Sequence, residues 1–257
     1  MITQNPLKEK LGKGRPVLGT WHTLGSPLAC EVLAEAGLDF VIVDFEHGPF
    51  ELGRAQEFIP RCELHGCSPL VRVPANEPWM VLQALDQGAH GVVVPQLASA
   101  QEARTLVRSA KYHPQGMRGF TPYTRPGGFG AVPGKDYAAK ANALTLTTAI
   151  IESKEGLSNL DEILEVEGLD IVYFGAYDLS QALGVPGEVR HKKVVEAVTK
   201  AAAKTAKAGK VPGGFVAKSK DDVKWQLDLG LRFITYDVDS SVLLQGYRGV
   251  SEWFQAR

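Results

Sequence analysis

The chain has 257 residues, 44% of them hydrophobic and 22% charged, with 28 Lys and Arg against 29 Asp and Glu. A formal net charge of −1 gives no general attraction for nucleic-acid phosphates or anionic lipid, and no apolar run approaches the roughly 18 residues of a membrane span. The length suits one domain, residues 1–257, and an odd set of three cysteines behind a polar N-terminal stretch points to the reducing cytoplasm.

The first strand is expected at Val17-Leu-Gly-Thr-Trp21, followed by a helix announced by Ser26-Pro27, an N-cap residue with Pro at the first helical position. From there one junction recurs: a helical pattern stops at Gly, and a short β-branched run begins within a few residues. It is seen at Gly37, Gly66, Gly88, Gly168, Gly209 and Gly230, leading into strands near Val43, Val71, Val93, Tyr173, Phe215 and Thr235. Leu146-Thr-Thr-Ala-Ile-Ile-Glu152 adds the remaining strand without a Gly stop. Further helix starts are marked by Ser99-x-x-Glu102 and Ser219-x-x-Asp222. Each interval between strands holds one crossover helix, and continuous Val/Ile runs are the mark of strands buried on both faces. Eight such units predict an α/β fold, a (β/α)8 barrel, over the alternative of a doubly wound open sheet, for which no dinucleotide fingerprint is present. The interval from Val93 to Ile150 also carries a Gly/Pro-rich loop, Pro114 to Gly130, too long for an ordinary connection and therefore expected to be functional.

In such barrels the chemistry sits where strands end. Strand one ends near His22, strand two at Asp44-Phe-Glu46-His47, strand three at Arg72, strand four at Gln96, strand five at Glu152 and strand six before Asp178. Glu152 and Asp178 come from neighbouring strands, so both carboxylates reach one cation. Two carboxylates suit a hard ion, Mg2+ or Mn2+, completed by water and substrate oxygens. The competing structural reading makes Glu152 and Asp178 helix caps. His47, with acids on its N-terminal side, has the setting of a general base. Arg72 interrupts an apolar strand and needs an anionic partner, either a substrate oxygen or Asp44 and Glu46. Backbone N–H groups at Tyr177 and Asp178 open a helix and suit a carboxylate. Arg118 and Arg125 on the long loop are placed to meet a distal carboxylate. Lys154 reads as a solvated lysine rather than a Schiff-base nucleophile, and Cys62, His65 and Cys67 lack the second ligand pair of a zinc site.

Together these segments resemble the HpcH/HpaI family, the metal-dependent class II pyruvate aldolases. The matching stretches are Gly19-Thr-Trp, Asp44-Phe-Glu46-His47-Gly-Pro, Val71-Arg72-Val-Pro, Leu85-Asp86-x-Gly-Ala, Gly116-Met-Arg118-Gly119, Ile151-Glu152 and Gly175-x-x-Asp178-Leu-Ser. The resemblance implies cleavage or formation of 4-hydroxy-2-oxo acids through a pyruvate enolate, with Glu152 and Asp178 as ligands of Mg2+ or Mn2+, Co2+ being a further option. It implies His47 as base, Asp86 as the carboxylate that raises its basicity, Arg72 at the oxyanion, and Tyr177 and Asp178 amides at the pyruvate carboxylate. It also implies a barrel that exchanges its last helix with a neighbour in a hexamer, a trimer of dimers, with Val242 to Tyr247 at an interface. Two departures stand out: Ile150 where the family places Gln, and Gly175-Ala-Tyr-Asp178 where Gly-Pro-Ala-Asp is usual. They leave open a related chemistry, the citrate synthase condensation of oxaloacetate with acetyl-CoA in siderophore pathways, and, in a different class, a barrel that only binds an oxo acid.

Overall fold

The computed structural model describes residues 4–257. Eight parallel strands close in sequence order into one barrel: β1 (Val17–His22), β2 (Phe40–Asp44), β3 (Ser68–Arg72), β4 (Gly91–Val94), β5 (Leu146–Ile151), β6 (Ile171–Phe174), β7 (Val211–Gly214) and β8 (Phe233–Val238). The expected open-sheet alternative is thereby excluded, and all eight strands fall where the Gly junctions and β-branched runs put them. The helices are α1 (Pro6–Gly12), α2 (Pro27–Glu35), α3 (Ala55–Glu63), α4 (Pro78–Asp86), α5 (Ala100–Ala110), α6 (Gly134–Leu144), α7 (Lys154–Ser158), α8 (Leu160–Leu164), α9 (Ala176–Ala182), α10 (Lys192–Lys207), α11 (Lys220–Asp228) and α12 (Asp239–Gln255).

Strand alternation sorts the apolar side chains into two cores. Phe40, Ile42, Leu70, Val93, Ile171 and Phe233 fill the barrel interior, while Val41, Val43, Val71, Val92, Ile151 and Val172 face the helices. Phe40 stacks on Phe233 with ring centres 4.0 Å apart. Helix α1 closes the end where strands begin: Leu7 is fully buried, and Asn5 donates to the carbonyls of His90 and Leu144 at 3.0 and 2.7 Å.

The caps follow the sequence signals at three helices. Ser26 accepts from the Ala29 N–H, Ser99 and Glu102 form a reciprocal capping box, and Ser219 accepts from Asp222. At two other helices the structure departs from the capping reading. Ser153 caps α7 by accepting from Gly156 at 3.0 Å, and α9 already begins at Ala176, leaving Asp178 inside its first turn. Neither carboxylate is used as a cap, so both are free for a ligand.

The long loop follows α5, and helices of this fold run from the C-terminal rim back toward the N-terminal rim. Its Arg118 therefore meets Asp86 at the end of α4 at 2.5 Å, and its Arg125 pairs with Glu63 at the end of α3. The loop lies at the rim where strands start. Helix α12 leaves the barrel at β8 with only Asp239 buried, and Leu243, Leu244, Tyr247, Val250, Trp253 and Phe254 are all exposed.

Replacing Phe40 with Ala is expected to cost about 3–5 kcal/mol, since a fully buried ring and its stacking partner are lost together. Chemical denaturation should show that loss, with Lys224→Ala on the exposed face of α11 within about 0.5 kcal/mol of the parent.

Candidate active site

At the C-terminal rim the ends of β2 and β3 are in register, Asp44 beside Arg72. Arg72 donates from Nε to Asp44 Oδ1 at 2.8 Å, makes a second bond to the other carboxylate oxygen, and lies 2.9 Å from Glu46 Oε2 through Nη1. Its guanidinium also lies over Trp21, 4.4 Å from the ring centre. Both ion pairs foreseen as the structural alternative for Arg72 are thus present. Asp44 turns the chain as well, since its Oδ1 accepts from the N–H groups of Glu46 and His47 at 3.1 and 3.2 Å. This turn delivers the His47 side chain to the rim, where it is exposed.

Glu152 follows β5 and is half-buried. Gln96, at the end of β4, adopts φ +58° and aims its backbone N–H at Glu152 Oε1, 2.7 Å away. A left-handed conformation is uncommon for a side chain larger than Gly; here it supplies an oriented donor. Burial pushes the Glu152 carboxyl up to about 7, helped by the charges of Asp178 and Glu46 and opposed by the Gln96 N–H and Arg72. Glu46 is also shifted upward, chiefly by burial. Gly175 passes so close that a Cβ there would lie 2.6 Å from Glu152 Oε2, which is why glycine stands at this position.

Asp44, His47, Arg72, Glu152, Tyr177 and Asp178 line one cavity of about 340 Å³ with Trp21, Ile150 and Tyr173. The structure therefore brings together five of the expected residues: His47, Arg72, Glu152, Tyr177 and Asp178. It does not bring Asp86 or Arg125 to them. Both belong to the N-terminal rim, paired with Arg118 and Glu63 respectively, because the loop that carries Arg125 leaves a helix rather than a strand. Lys154 is exposed at the start of α7, and the three cysteines are buried thiols, with His65 bonded to Glu35 at 2.6 Å. Trp21 and Tyr173 were not singled out from the sequence, and Gln96 was expected at the end of strand four only as a side chain. Trp21 and Tyr173 are hidden among other aromatic strand residues, and Gln96 acts through its backbone; its position directly after Pro95 at a strand end was the only hint.

Among the described residues no group of three or more His, Cys, Asp or Glu converges as a complete metal cage. The rim does fit a hard divalent ion. Two carboxylates with raised or mutually repelling charge face one cavity, and the remaining positions of such an ion are ordinarily taken by water and ligand oxygens.

A parallel (β/α)8 barrel with acids, an imidazole and a guanidinium gathered at the C-terminal rim is the layout of a barrel enzyme. The model of the HpcH/HpaI aldolase/citrate lyase family matches residues 18–245, and the chain belongs to this family. It is 32% identical over 98% of its length to a hydroxypyruvate/pyruvate aldolase of Roseobacter denitrificans, 98% of which is covered. It is 34% identical to a 4-hydroxy-2-oxo-heptane-1,7-dioate aldolase of Escherichia coli, with 99% and 96% of the two chains covered. The crystal structure of the citrate synthase SbnG superposes with a TM-score of 0.87 at 30% identity, over 99% of this chain and 100% of that one.

Two outcomes follow from the packing around Glu152. Gly175→Ala should weaken Mn2+ binding at least tenfold while leaving the circular dichroism spectrum unchanged, because the added methyl displaces the carboxylate. Protons compete with a cation for a carboxyl that titrates at about 7, so Mn2+ affinity measured by calorimetry should be constant above that pH and fall about tenfold per unit below it.

Proposed function

We propose that the chain is a divalent-metal-dependent aldolase that makes or cleaves 4-hydroxy-2-oxo acids through the enolate of pyruvate. The observation that carries this reading is the convergence of Glu152, Asp178, Arg72 and His47 on one cavity at the catalytic rim, in a chain whose relatives are named as aldolases. Glu152 and Asp178 would hold the ion, Mg2+ or Mn2+ with Co2+ as a further option, and when bound it would act as the Lewis acid that polarises the 2-oxo group.

The protein's own groups supply the rest. The N–H groups of Tyr177 and Asp178, in the first turn of α9, suit the carboxylate of the oxo acid. Arg72 is held rigidly by Asp44, Glu46 and Trp21, so its guanidinium faces the cavity without reorganising as negative charge develops on the aldehyde oxygen. His47, exposed and facing the same cavity, moves the proton between the substrate hydroxyl and solvent, directly or through a water. Asp86 and Arg125 contribute in this reading only if a second copy brings its N-terminal rim against this cavity. The exposed apolar face of α12 favours such association, in a cytoplasmic homo-oligomer of the hexameric, trimer-of-dimers kind, acting on a small anionic 2-oxo acid and on neither nucleic acid nor membrane. No helix among the described residues is long and apolar enough to cross a membrane.

The competing reading is condensation of oxaloacetate with a thioester enolate, suggested by the likeness to SbnG and by Ile150 and Tyr177 at the pocket. It is the weaker one, because oxaloacetate carries two carboxylates and, among the described residues of one copy, Arg72 is the only guanidinium lining the cavity.

With Mn2+ present, pyruvate methyl protons should exchange with deuterated solvent, and Glu152→Ala should reduce that exchange at least a hundredfold. Thiol release from acetyl-CoA and oxaloacetate without methyl exchange would replace the aldolase reading with the condensation. Exchange unchanged in Glu152→Ala would remove Glu152 from the metal site.

A further inference from the structure

Strands β4 and β5 end one residue out of step. They pair in register from Gly91 beside Leu146 to Val94 beside Ala149. In a parallel ladder alternate residues of a strand bond to alternate neighbours. The Val93 carbonyl accepts from Val73, just past β3, and the His90 carbonyl from Leu146 at the start of β5, at 3.1 and 3.0 Å, so odd positions serve β3 and even positions serve β5. By that alternation Gln96 is the next donor toward β5, with the Ile150 carbonyl as its acceptor. The structure gives that carbonyl to the Leu97 N–H instead, at 3.0 Å. One extra residue therefore stands on the β4 side, a β-bulge, and the Gln96 N–H is released from the ladder. It turns to Glu152 Oε1, 2.7 Å away, through the left-handed φ of +58°.

The neighbours hold this uncommon conformation from several directions. Pro95 precedes it with a fixed φ and no N–H of its own. The Leu97 side chain is buried, and its carbonyl passes so near Gly156 on α7 that a Cβ there would lie 2.8 Å from it. Asn159, between α7 and α8, donates from Nδ2 to the Ala98 carbonyl at 2.8 Å. Glu102 on α5 accepts from the N–H groups of Ala98 and Ser99 at 2.8 and 3.0 Å. A strained residue persists where its surroundings over-determine it, and such residues cluster at functional sites. The Gln96 side chain itself is exposed.

We infer that Gln96 is a positioning residue for the cation site and acts through its main chain: the bulge aims its N–H at Glu152 Oε1, which fixes the carboxylate and leaves Oε2 as the oxygen offered to the ion. The inference rests on the metal-dependent reading above and deepens it. Oε2 lies on the side where Gly175 keeps the space open, and Glu152 and Asp178 line the same cavity. The identity of residue 96 then matters through the φ it tolerates. Glycine enters the left-handed region freely, whereas a β-branched residue resists it.

The test compares Gln96→Gly and Gln96→Val for Mn2+ affinity by titration calorimetry, with circular dichroism reporting the fold. Hydrogen exchange of the residue 96 amide, followed by NMR in metal-free protein, supplies a readout that needs no ion. Gln96→Gly should bind Mn2+ within about twofold of the parent and Gln96→Val at least tenfold more weakly. The Gln96 amide should exchange at least tenfold more slowly in the parent than in Glu152→Ala. An equal loss of affinity in both Gln96 variants overturns the inference by assigning the role to the side chain. A folded Gln96→Val with parental affinity overturns it as well, and so does a Gln96 amide that exchanges as fast in the parent as in Glu152→Ala. Should Gln96→Val fail to fold, Gln96→Gly and the exchange rates still decide. Failure of the parent to bind Mn2+ while its Gln96 amide stays protected overturns the metal-dependent reading, and this inference with it.

Discussion

The ion pair between Asp44 and Arg72 organises the catalytic rim. Asp44 is almost wholly buried and Arg72 nearly so, and charges in that position persist only when each has a partner: leaving one unpaired costs on the order of 3–5 kcal/mol. The pair links the ends of β2 and β3 in register, and its consequences spread outward through Asp44 Oδ1, which also accepts from Arg72 Nε, and through the far side of the guanidinium. Asp44 Oδ1 accepts from two successive N–H groups, fixing the turn from which His47 projects. Arg72 reaches Glu46 on the same turn and lies on Trp21 from β1. Three strands are therefore held by one guanidinium, and Trp21 extends the chain of contacts to Tyr173 on β6. The acid cluster at Glu152 sits next to this rigid unit, so the field that Arg72 projects into the cavity is set before any ligand arrives.

Opposite this anchor a second buried pair fastens the point where the chain leaves the barrel. His22 Nδ1 lies 2.6 Å from Asp239 Oδ2, and neither side chain is more than 5% exposed. Asp239 also accepts from the N–H and hydroxyl of Thr23 and from the N–H of Ser240, and these bonds hold its carboxyl below the usual range against the opposing effect of burial. The base of α12 is thus nailed to the end of β1, while the rest of the helix offers its apolar residues to solvent. The helix is thus firmly anchored at its base and left uncovered by its own chain along most of its length.

Much of this was legible in the amino-acid order. Continuous β-branched runs after Gly stops placed six of the eight strands, because strands buried on both faces tolerate little else and because only Gly ends a helix in the left-handed region at low cost. Once the strands were placed, Glu152 and Asp178 fell on one rim by counting. What could not be read was set by backbone geometry and by direction. The Gln96 N–H reaches Glu152 through a left-handed φ that no side-chain pattern announces. Ser153 rather than Glu152 caps α7 because the neighbouring hydroxyl has the shorter reach to Gly156. The loop carrying Arg125 looked functional by its length, yet length does not say at which end of a barrel a loop emerges.

That last point bears on how substrate chemistry is assigned in this fold. A loop after a strand opens on the C-terminal rim, whereas a loop after a helix opens on the other, so within one copy Arg118 and Arg125 pair with Asp86 and Glu63 at the N-terminal rim of the barrel. Among the described residues, the cavity within one copy has one guanidinium, four carboxylates around its polar cleft and an apolar wall. Arg72 is itself held by Asp44 and Glu46, and the apolar wall is formed by Trp21, Ile150, Tyr173, Phe215, Val216 and Val238. The rim that a side chain serves is therefore decided by whether its segment follows a strand or a helix, a property of topology and not of loop length.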